Sequence, residues 1–291
     1  MKEDAPAVQF TLVMPVMRKP MLGQVLEHYC KLVPGLIGTI VLVDYDEQFS
    51  EALGLYEPLG RTPHRRVVVN GERYFNKSCA LNLGVALSGA RRVLVCDADV
   101  VVDPAALDAW ASSMAVREHA GLALTPVHMV EIATGQPRAA PGVVAFDAED
   151  FLRVRGYSSE FLGWGFEDRD FLWRLEQAGV RVLESGYATH ISHDELERTR
   201  NYEKASGGDA GDALADRLSM REKNLRLFAA RKRARVMSGT LAQDLARFGF
   251  TGLSAQAEAR RQSSRVRLSS VSGVHARDGA APAAQPLDSR G

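Results

Sequence analysis

The segment 163–175, GWGFEDRDFLWRL, holds the residue types that acid–base catalysis beneath a movable loop requires. Trp164 stands between two glycines, and glycine gives a loop the freedom to hinge. Glu167 and Asp168 follow at the start of a predicted helix, where carboxylates also suit the positive end of the helix dipole. The pattern predicts a rigidly held general base beside an aromatic lid. Acids that merely cap the helix are the simpler alternative.

A pair of acids, Asp97 and Asp99, follows the apolar run VLVC at 93–96. Two residues apart on a strand, their side chains point to the same side. Carboxylate oxygens at a strand end can bind a hard divalent cation, and that cation can hold a diphosphate. The alternative is a pair of solvated turn acids ahead of Asp103 and Pro104.

Two histidines, His190 and His193, are spaced three residues apart in the run HISH. Imidazole is a ligand for Mn, Zn, Fe and Cu ions. Side chains at this spacing meet on one helical face but diverge on a regular strand, so both bind one ion only if the chain turns there. The alternative is one core histidine and one surface histidine.

A polar cluster at 74–84, YFNKSCALNLG, precedes and enters another predicted helix. Ser78 is a plausible N-cap, but capping does not explain Asn76, Lys77 and Asn82 together. The ring of Phe75 could stack on a nucleotide base, and the Lys77 ammonium could meet a phosphate as a point charge.

Alternating strands and helices are predicted to position these groups. Apolar runs such as IVLV and VLVC indicate strands buried on both faces, as in an α/β protein with a mainly parallel central sheet flanked by helices. Ligands in such folds bind at the carboxyl ends of the strands. The predicted strands are 10–13, 39–43, 66–69, 92–96, 121–127, 143–146, 180–183 and 187–191. The predicted helices are 22–32, 80–87, 149–153, 168–178 and 214–236.

Composition limits the class of protein. Among 291 residues, 36 Lys and Arg balance 36 Asp and Glu, so nothing points to nucleic acid as a partner. The three scattered cysteines form no CxxC pair, which indicates a reducing compartment. With no signal peptide and no apolar run of about 20 residues, we expect a cytoplasmic protein. The predicted units are a catalytic domain at 1–205, a helical extension packed on the core at 206–254, and a disordered tail at 255–291.

Taken in order, the motifs at 75–84, 93–103, 141–175 and 190–193 resemble the β-1,4-galactosyltransferase family and the bacterial chondroitin and capsule polymerase glycosyltransferases. The resemblance spans most of residues 10–195. It implies a GT-A fold and a metal-dependent, inverting transfer of a hexose or N-acetylhexosamine from a UDP-sugar to an acceptor hydroxyl. It does not specify the sugar, and the acceptor is a glycan, a lipid-linked intermediate or a small molecule.

The resemblance also implies a metal site. Asp99, the second acid of the DxD, matches a direct ligand of Mn²⁺, for which Mg²⁺ is an alternative. His193 matches a second ligand, and His190 stands where the galactosyltransferases have Met. Asp97 would lie close to the ribose or the sugar of the donor.

Further roles follow for the donor and acceptor. Phe75 and Lys77 match positions near the uridine and its phosphates, and Trp164 matches the lid over the donor. Glu167 and Asp168 match the acidic pair that faces the acceptor, with Asp168 as the general base. The family's donor segment is only faintly echoed around two further residues, Pro15 and Arg18.

Three features depart from the family. Arg169 replaces an acid among the residues expected to contact the acceptor, and Phe166 replaces a frequent Gly in the lid. We also expect no membrane anchor of the kind that the Golgi enzymes have. These departures favour a bacterial-type enzyme with its own donor or acceptor.

Two other functions compete with this one. A phosphohydrolase of the haloacid dehalogenase type also uses a DxD after an apolar strand, here Asp97 and Asp99, and the run at 208–212 faintly resembles its distal acidic motif. No apolar strand precedes that run, and Trp164 and the histidines would have no role. A non-catalytic module that binds nucleotide sugars is the third interpretation.

A basic segment at 221–235 carries the apolar residues Leu225, Leu227 and Phe228 among its charges. It predicts a helix packed on the core with a solvated basic face. Alternatively, it is a membrane-surface helix that makes a peripheral contact with anionic lipid and brings the enzyme to a lipid-linked acceptor.

Overall fold

The computed structural model describes residues 9–72, 74–116, 121–163, 165–191, 210–250 and 266–271. Across these ranges the chain forms twelve strands and eight α-helices. The strands β1 to β12 are Phe10–Val16, Ile37–Asp44, His64–Val69, Arg92–Val95, Val100–Val102, Leu122–Thr125, His128–Glu131, Pro137–Arg138, Val144–Asp147, Arg181–Glu184, Tyr187–His190 and Val266–Val271. The helices α1 to α8 are Leu22–Cys30, Glu47–Ala52, Lys77–Ser88, Pro104–Ala115, Ala148–Arg153, Glu167–Gln177, Ala210–Arg233 and Leu241–Arg247.

The larger sheet has eight strands in the spatial order β10–β6–β9–β4–β1–β2–β3–β12. Its centre is parallel, since β1 pairs in parallel with β2 and β4, and β2 with β3. β9 lies antiparallel between β4 and β6. The predicted α/β class is therefore confirmed, and the sheet is mixed outside its parallel centre. The carboxyl ends of β1 and β4 lie together, where ligands are expected.

A smaller sheet lies in the order β5–β11–β7–β8. β11 is antiparallel to β5, which places His190 opposite Val100, and parallel to β7, which places His190 opposite Glu131. The backbone N–H of Ile191 donates to the carbonyl oxygen of Asp99 at 2.8 Å. The smaller sheet therefore joins the end of β11 to the acidic turn that follows β4.

The core lies on both faces of the larger sheet. Along β1, Val13 faces one apolar cluster while Leu12 and Met14 face the other, as the alternation of a strand requires. All three side chains are fully buried. A strand buried on both faces must be apolar at consecutive positions, which explains the uninterrupted apolar runs of the sequence.

Helix α3 packs closely on the sheet through Gly84. A Cβ at this position would lie 2.5 Å from Val13 Cγ1 and 2.9 Å from Val43 Cγ2. Both valines are β-branched and buried, so neither can move aside freely. The small residue therefore sets how near α3 comes to β1 and β2 at this point of the sheet.

Gly84→Ala is expected to lower the free energy of unfolding by about 1–3 kcal/mol, because overpacking outweighs the better helix propensity of Ala. Urea denaturation measures the change. The matched control is Gly23→Ala in α1, where an added Cβ would find only the Leu55 carbonyl oxygen, at 3.9 Å. That variant is expected to be no less stable than the wild type, and equal stability of the two variants would contradict the packing argument.

Two polar residues near the start of α3 have structural partners. Asn76, rather than the predicted Ser78, caps the helix by accepting from the Cys79 backbone N–H at 2.9 Å. The Asn82 side chain is buried and exchanges hydrogen bonds with the backbone N–H and carbonyl of Tyr157. Capping explains Asn76 and packing explains Asn82. Neither explains Lys77, the third member of the polar cluster.

Helix α7, in the predicted helical extension, packs on the elements that precede it. Asn224 and Arg231 of α7 are buried, and Asn224 donates to the Leu162 carbonyl oxygen at 2.9 Å. Arg231 Nε donates to Asp170 at 3.0 Å, and the same carboxylate accepts from the buried Arg174 at 2.8 Å. These contacts support a core-packed helix for the basic segment. No helix in the described ranges is both long and apolar enough to cross a membrane.

The structure describes six residues of the predicted disordered tail, and they differ from that expectation. They form β12, which pairs antiparallel with β3 from Val266 opposite Val69 to Val271 opposite His64. β-branched residues favour strands, and β3 would otherwise present an unpaired edge. The rest of 255–291 lies outside the described residues.

Candidate active site

A cavity of about 280 Å³ lies at the carboxyl ends of β1 and β4, beside the first turns of α3 and α6. It contains most of the residues predicted from the sequence to bind or react. Those residues are Pro15, Phe75, Lys77, Asp97, Asp99, Glu167, Asp168 and His190.

Both acids of the DxD line this cavity, but strand alternation is not the reason. β4 ends at Val95, and the acids lie in the turn before β5, where the Val100 N–H donates to the Asp97 carbonyl oxygen at 3.1 Å. The two carboxylates have different partners. Asp97 Oδ1 lies 2.7 Å from Lys77 Nζ, whereas Asp99 Oδ2 lies 2.6 Å from Lys19 Nζ. The turn therefore separates Asp97, which binds Lys77, from Asp99, which binds Lys19 and faces His190 of the smaller sheet.

Lys77, the first residue of α3, joins three carboxylates. Its Nζ lies 2.7 Å from Asp97 Oδ1, 2.8 Å from Asp168 Oδ2 and 3.7 Å from Glu167 Oε1. Burial by itself lowers the pKa of the Lys77 ammonium, but the three carboxylates raise it well above its usual range. One cation among three acids leaves this side of the cavity with excess negative charge.

Asp168 and Glu167 are the first acids of α6, and both are buried. Burial raises the pKa of the Asp168 carboxyl well above its usual range. Lys77 opposes the shift, and the like charges of Glu167 and Asp97 add to it. Within the described structure, Asp168 Oδ1 and Glu167 Oε2 are buried without a hydrogen-bond partner. Buried acceptors of this kind are rare, and a substrate hydroxyl could satisfy each of them.

His190 faces the DxD turn from the end of β11. Its Nε2 lies 3.7 Å from Asp99 Oδ2, which exceeds a hydrogen-bond distance. Its Nδ1 lies 2.9 Å from Glu131 Oε1 and 3.0 Å from Glu131 Oε2. Burial lowers the pKa of the imidazole, but the contacts with Asp99 and Glu131 raise it overall. The imidazole of His190 therefore lies between Asp99 and Glu131, which come from the two chain segments on either side of β11.

This part of the site suits a divalent cation. A carboxylate oxygen and an imidazole nitrogen face each other, and Mn²⁺ accepts both ligand types. The ammonium of Lys19 already places positive charge on the same oxygen of Asp99. Among the residues that the structure describes, no group of three His, Cys, Asp or Glu side chains is assembled as a metal site. His193, the other predicted ligand, lies outside the described residues.

Other residues that line the cavity were not predicted as site residues. Lys19 and Arg138 add cations, and Gly142 lies so close that a Cβ there would come within 2.4 Å of Asp97 Oδ2 and 2.9 Å of Lys77 Nζ. Lys19 directly follows Arg18, a predicted donor residue, after the end of β1. That position in the sequence could have marked Lys19 as a site residue. No sequence signal marked Gly142, whose role depends on the tertiary approach of two distant segments.

The predicted lid can be described only in part, because Trp164 lies outside the described residues. The flanking Gly163 and Gly165 have φ of 69° and 99°, a region that favours glycine. Phe166 follows with a φ of 71°, and its ring stacks on Phe228 of α7 at 5.8 Å between centroids. Helix α7 therefore anchors the carboxyl end of this loop through Phe166.

Arg18 differs from the other predicted donor residues. It has a φ of 46°, and its Nε donates to Asp46 Oδ2 at 2.6 Å. It does not line the cavity, although its neighbours Met17 and Lys19 do. Contact between Arg18 and a donor remains a proposal.

Comparisons with known proteins agree with this architecture. Residues 128–201 match the family model described as the N-terminal domain of galactosyltransferase. No curated protein matches the chain in sequence.

Several solved structures are similar to this chain, two of them with a TM-score above 0.5. GalNAc-T7 in complex with UDP, GalNAc and Mn²⁺ has a TM-score of 0.54 at 15% identity, covering 84% of this chain and 57% of that chain. A fragment of TarS from S. aureus has a TM-score of 0.51 at 14% identity, covering 73% and 71%. A mutant of Drosophila beta1,4galactosyltransferase 7 in complex with manganese, UDP-Gal and xylobiose has a TM-score of 0.45 at 16% identity, covering 69% and 77%.

The fold is therefore the GT-A fold of glycosyltransferases. Within that class the chain resembles the galactosyltransferases, as its motifs predicted.

Proposed function

We propose that the protein is a metal-dependent, inverting glycosyltransferase that moves a hexose or N-acetylhexosamine from a UDP-sugar to an acceptor hydroxyl. The observation that carries the proposal is a pair of buried oxygens, Asp168 Oδ1 and Glu167 Oε2, that have no hydrogen-bond partner among the described residues. They share one cavity with the facing pair Asp99 and His190. The GT-A fold supports the same class of reaction.

Asp99 and His190 would hold Mn²⁺, with His193 as the third protein ligand and Mg²⁺ as the alternative ion. When bound, the cation supplies Lewis-acid stabilisation of the negative charge on the departing diphosphate. The complex of GalNAc-T7 contains both UDP and Mn²⁺, which is consistent with this assignment.

Asp168 acts as the general base in this proposal. The acceptor oxygen forms a bond to C1 of the sugar while the bond from C1 to the phosphate oxygen breaks, and that electron pair leaves with UDP. The hydroxyl proton passes to the Asp168 carboxylate, whose raised pKa makes it a better proton acceptor than an ordinary aspartate. One displacement without a protein nucleophile inverts the anomeric centre. Glu167 accepts a hydrogen bond from a second hydroxyl of the acceptor and so orients it.

The donor would bind to other residues of the same cavity. Phe75, which packs edge-on against Tyr45 at 5.2 Å between centroids, offers a face for the uracil ring. Pro15 lies beside it in the same cavity, and Arg18 lies close to the end of β1. Asp97 and Lys77 face the ribose, the sugar or the phosphates. Trp164 would close over the donor and exclude water, which limits hydrolysis.

The test is a screen of UDP-Gal, UDP-GalNAc, UDP-Glc and UDP-GlcNAc for Mn²⁺-dependent release of UDP, with a panel of glycans, lipid-linked intermediates and small hydroxyl compounds as acceptors. We expect one donor to be consumed, with release that EDTA stops and Mn²⁺ restores. Turnover of p-nitrophenyl phosphate instead would favour a phosphohydrolase. UDP binding without turnover on any acceptor would favour a non-catalytic nucleotide-sugar module.

A further inference from the structure

We propose that Glu131, which lies outside the sequence motifs, is a positioning residue for the metal ligand His190. The inference rests on the proposed function, since His190 is a ligand only if the site binds a cation. Glu131 does not itself face the reacting atoms; it acts through the imidazole.

The backbone places the two residues together. β7 and β11 run parallel, and their register sets Glu131 directly opposite His190. Glu131 is 4% exposed and His190 is 3% exposed, so both side chains lie in a region from which water is largely excluded. A carboxylate buried on a strand needs a specific partner, and the neighbouring strand supplies it.

The hydrogen bond determines which ring nitrogen faces the DxD turn. An ionised carboxylate only accepts hydrogen bonds, so Nδ1 of His190 must carry the hydrogen that it donates to Glu131, at 2.9 Å to Oε1 and 3.0 Å to Oε2. In the neutral imidazole the lone pair then lies on Nε2, the nitrogen that is 3.7 Å from Asp99 Oδ2. Glu131 therefore fixes both the ring orientation and the tautomer required for binding a cation beside Asp99.

Arg138 completes the arrangement. Its strand, β8, pairs with β7, and its Nη1 lies 3.1 Å from Glu131 Oε2. The guanidinium offsets the cost of burying the carboxylate and favours its ionised form. The smaller sheet thus presents a chain of three side chains, Arg138, Glu131 and His190, that ends at the candidate metal site.

The experiment measures Mn²⁺ binding to the full chain in the presence of UDP, by the loss of the free Mn²⁺ signal in electron paramagnetic resonance. We expect Glu131→Ala to weaken Mn²⁺ binding by about 10–100-fold. Glu131→Gln should weaken it less, because the amide oxygen still accepts the Nδ1 hydrogen. The matched control is Glu184→Gln, an exposed acid on β10, whose Mn²⁺ affinity should equal that of the wild type.

A second readout separates positioning from folding. In the metal-free protein, at a pH high enough to keep the His190 imidazole neutral, long-range proton–nitrogen NMR should show His190 with its hydrogen on Nδ1 in the wild type, and a mixture of tautomers in Glu131→Ala. Cooperative unfolding shows whether Glu131→Ala is folded. If it is not, Mn²⁺ affinity and the His190 tautomer are measured in Glu131→Gln instead. If the folded variants keep the Mn²⁺ affinity and the His190 tautomer of the wild type, the positioning role of Glu131 is wrong, while the proposed function is not affected. No Mn²⁺ binding by the wild type would overturn the metal assignment of the proposed function as well.

Discussion

Asp168→Asn is expected to lower kcat by about 10²–10⁴-fold, the range for loss of a general base. Asparagine keeps the shape of the side chain but cannot accept the acceptor's proton. Lys77 retains its contact with Asp97 at 2.7 Å, and Asp99 and His190 are not altered, so the affinities for UDP and Mn²⁺ should be nearly unchanged. Initial rates of UDP release and equilibrium binding of UDP with Mn²⁺ measure the two effects.

The pH profile gives this prediction a second test. The reaction needs the ionised form of Asp168, whose pKa burial raises well above its usual range, so wild-type activity should rise with pH through that raised pKa and then level off. This rising limb should vanish from the residual activity of Asp168→Asn. Asp108→Asn, which changes an exposed acid on α4, is the control and should behave as the wild type. Near-normal turnover of Asp168→Asn would show that another group is the base.

Hydrophobic runs were enough to predict most of the architecture. The strand predicted at 39–43 is observed as Ile37–Asp44, and the helix predicted at 168–178 as Glu167–Gln177. The antiparallel insertion of β9 was not predictable, because strand order depends on tertiary pairing rather than on local pattern. The strand Val266–Val271 was missed for a similar reason, since pairing with an open sheet edge orders it.

In the candidate site, too, residues in local sequence motifs were predictable, and contacts that depend on tertiary structure were not. Asp97, Asp99 and Asp168 were predictable because acids at strand and helix ends form recognisable local motifs. Lys77 was expected to meet a phosphate, but it lies among three carboxylates that come from two other parts of the chain. Glu131 was not predicted, because a single acid on a short strand gives no local signal. Only the register of β7 against β11 shows its contact with His190.

Lys77→Met is expected to lower the free energy of unfolding by about 3–5 kcal/mol at neutral pH, because removing one partner of a buried ion pair leaves uncompensated charge. Methionine preserves most of the volume, so the loss is electrostatic rather than a cavity effect. Asp168 and Glu167, with side chains 10% and 8% exposed, account for most of it, while Asp97 at 35% is better solvated. Urea denaturation at pH 7 measures the change, and the exposed Lys223→Met on α7 is the control, expected within about 0.5 kcal/mol of the wild type.

The loss of stability in Lys77→Met should shrink as the solution is acidified. Without the ammonium, the pKa of Asp168 in the folded state rises further, so the folded variant binds more protons than its unfolded chain as pH falls through that value. Stability must then increase relative to pH 7, and by more than in the wild type, where Lys77 opposes the upward shift in the pKa of Asp168. The ammonium itself contributes equally across this range, because its raised pKa lies far above neutrality. A difference between variant and wild type that stays constant from pH 7 to about pH 5 would mean that the three carboxylates are not the source of the instability.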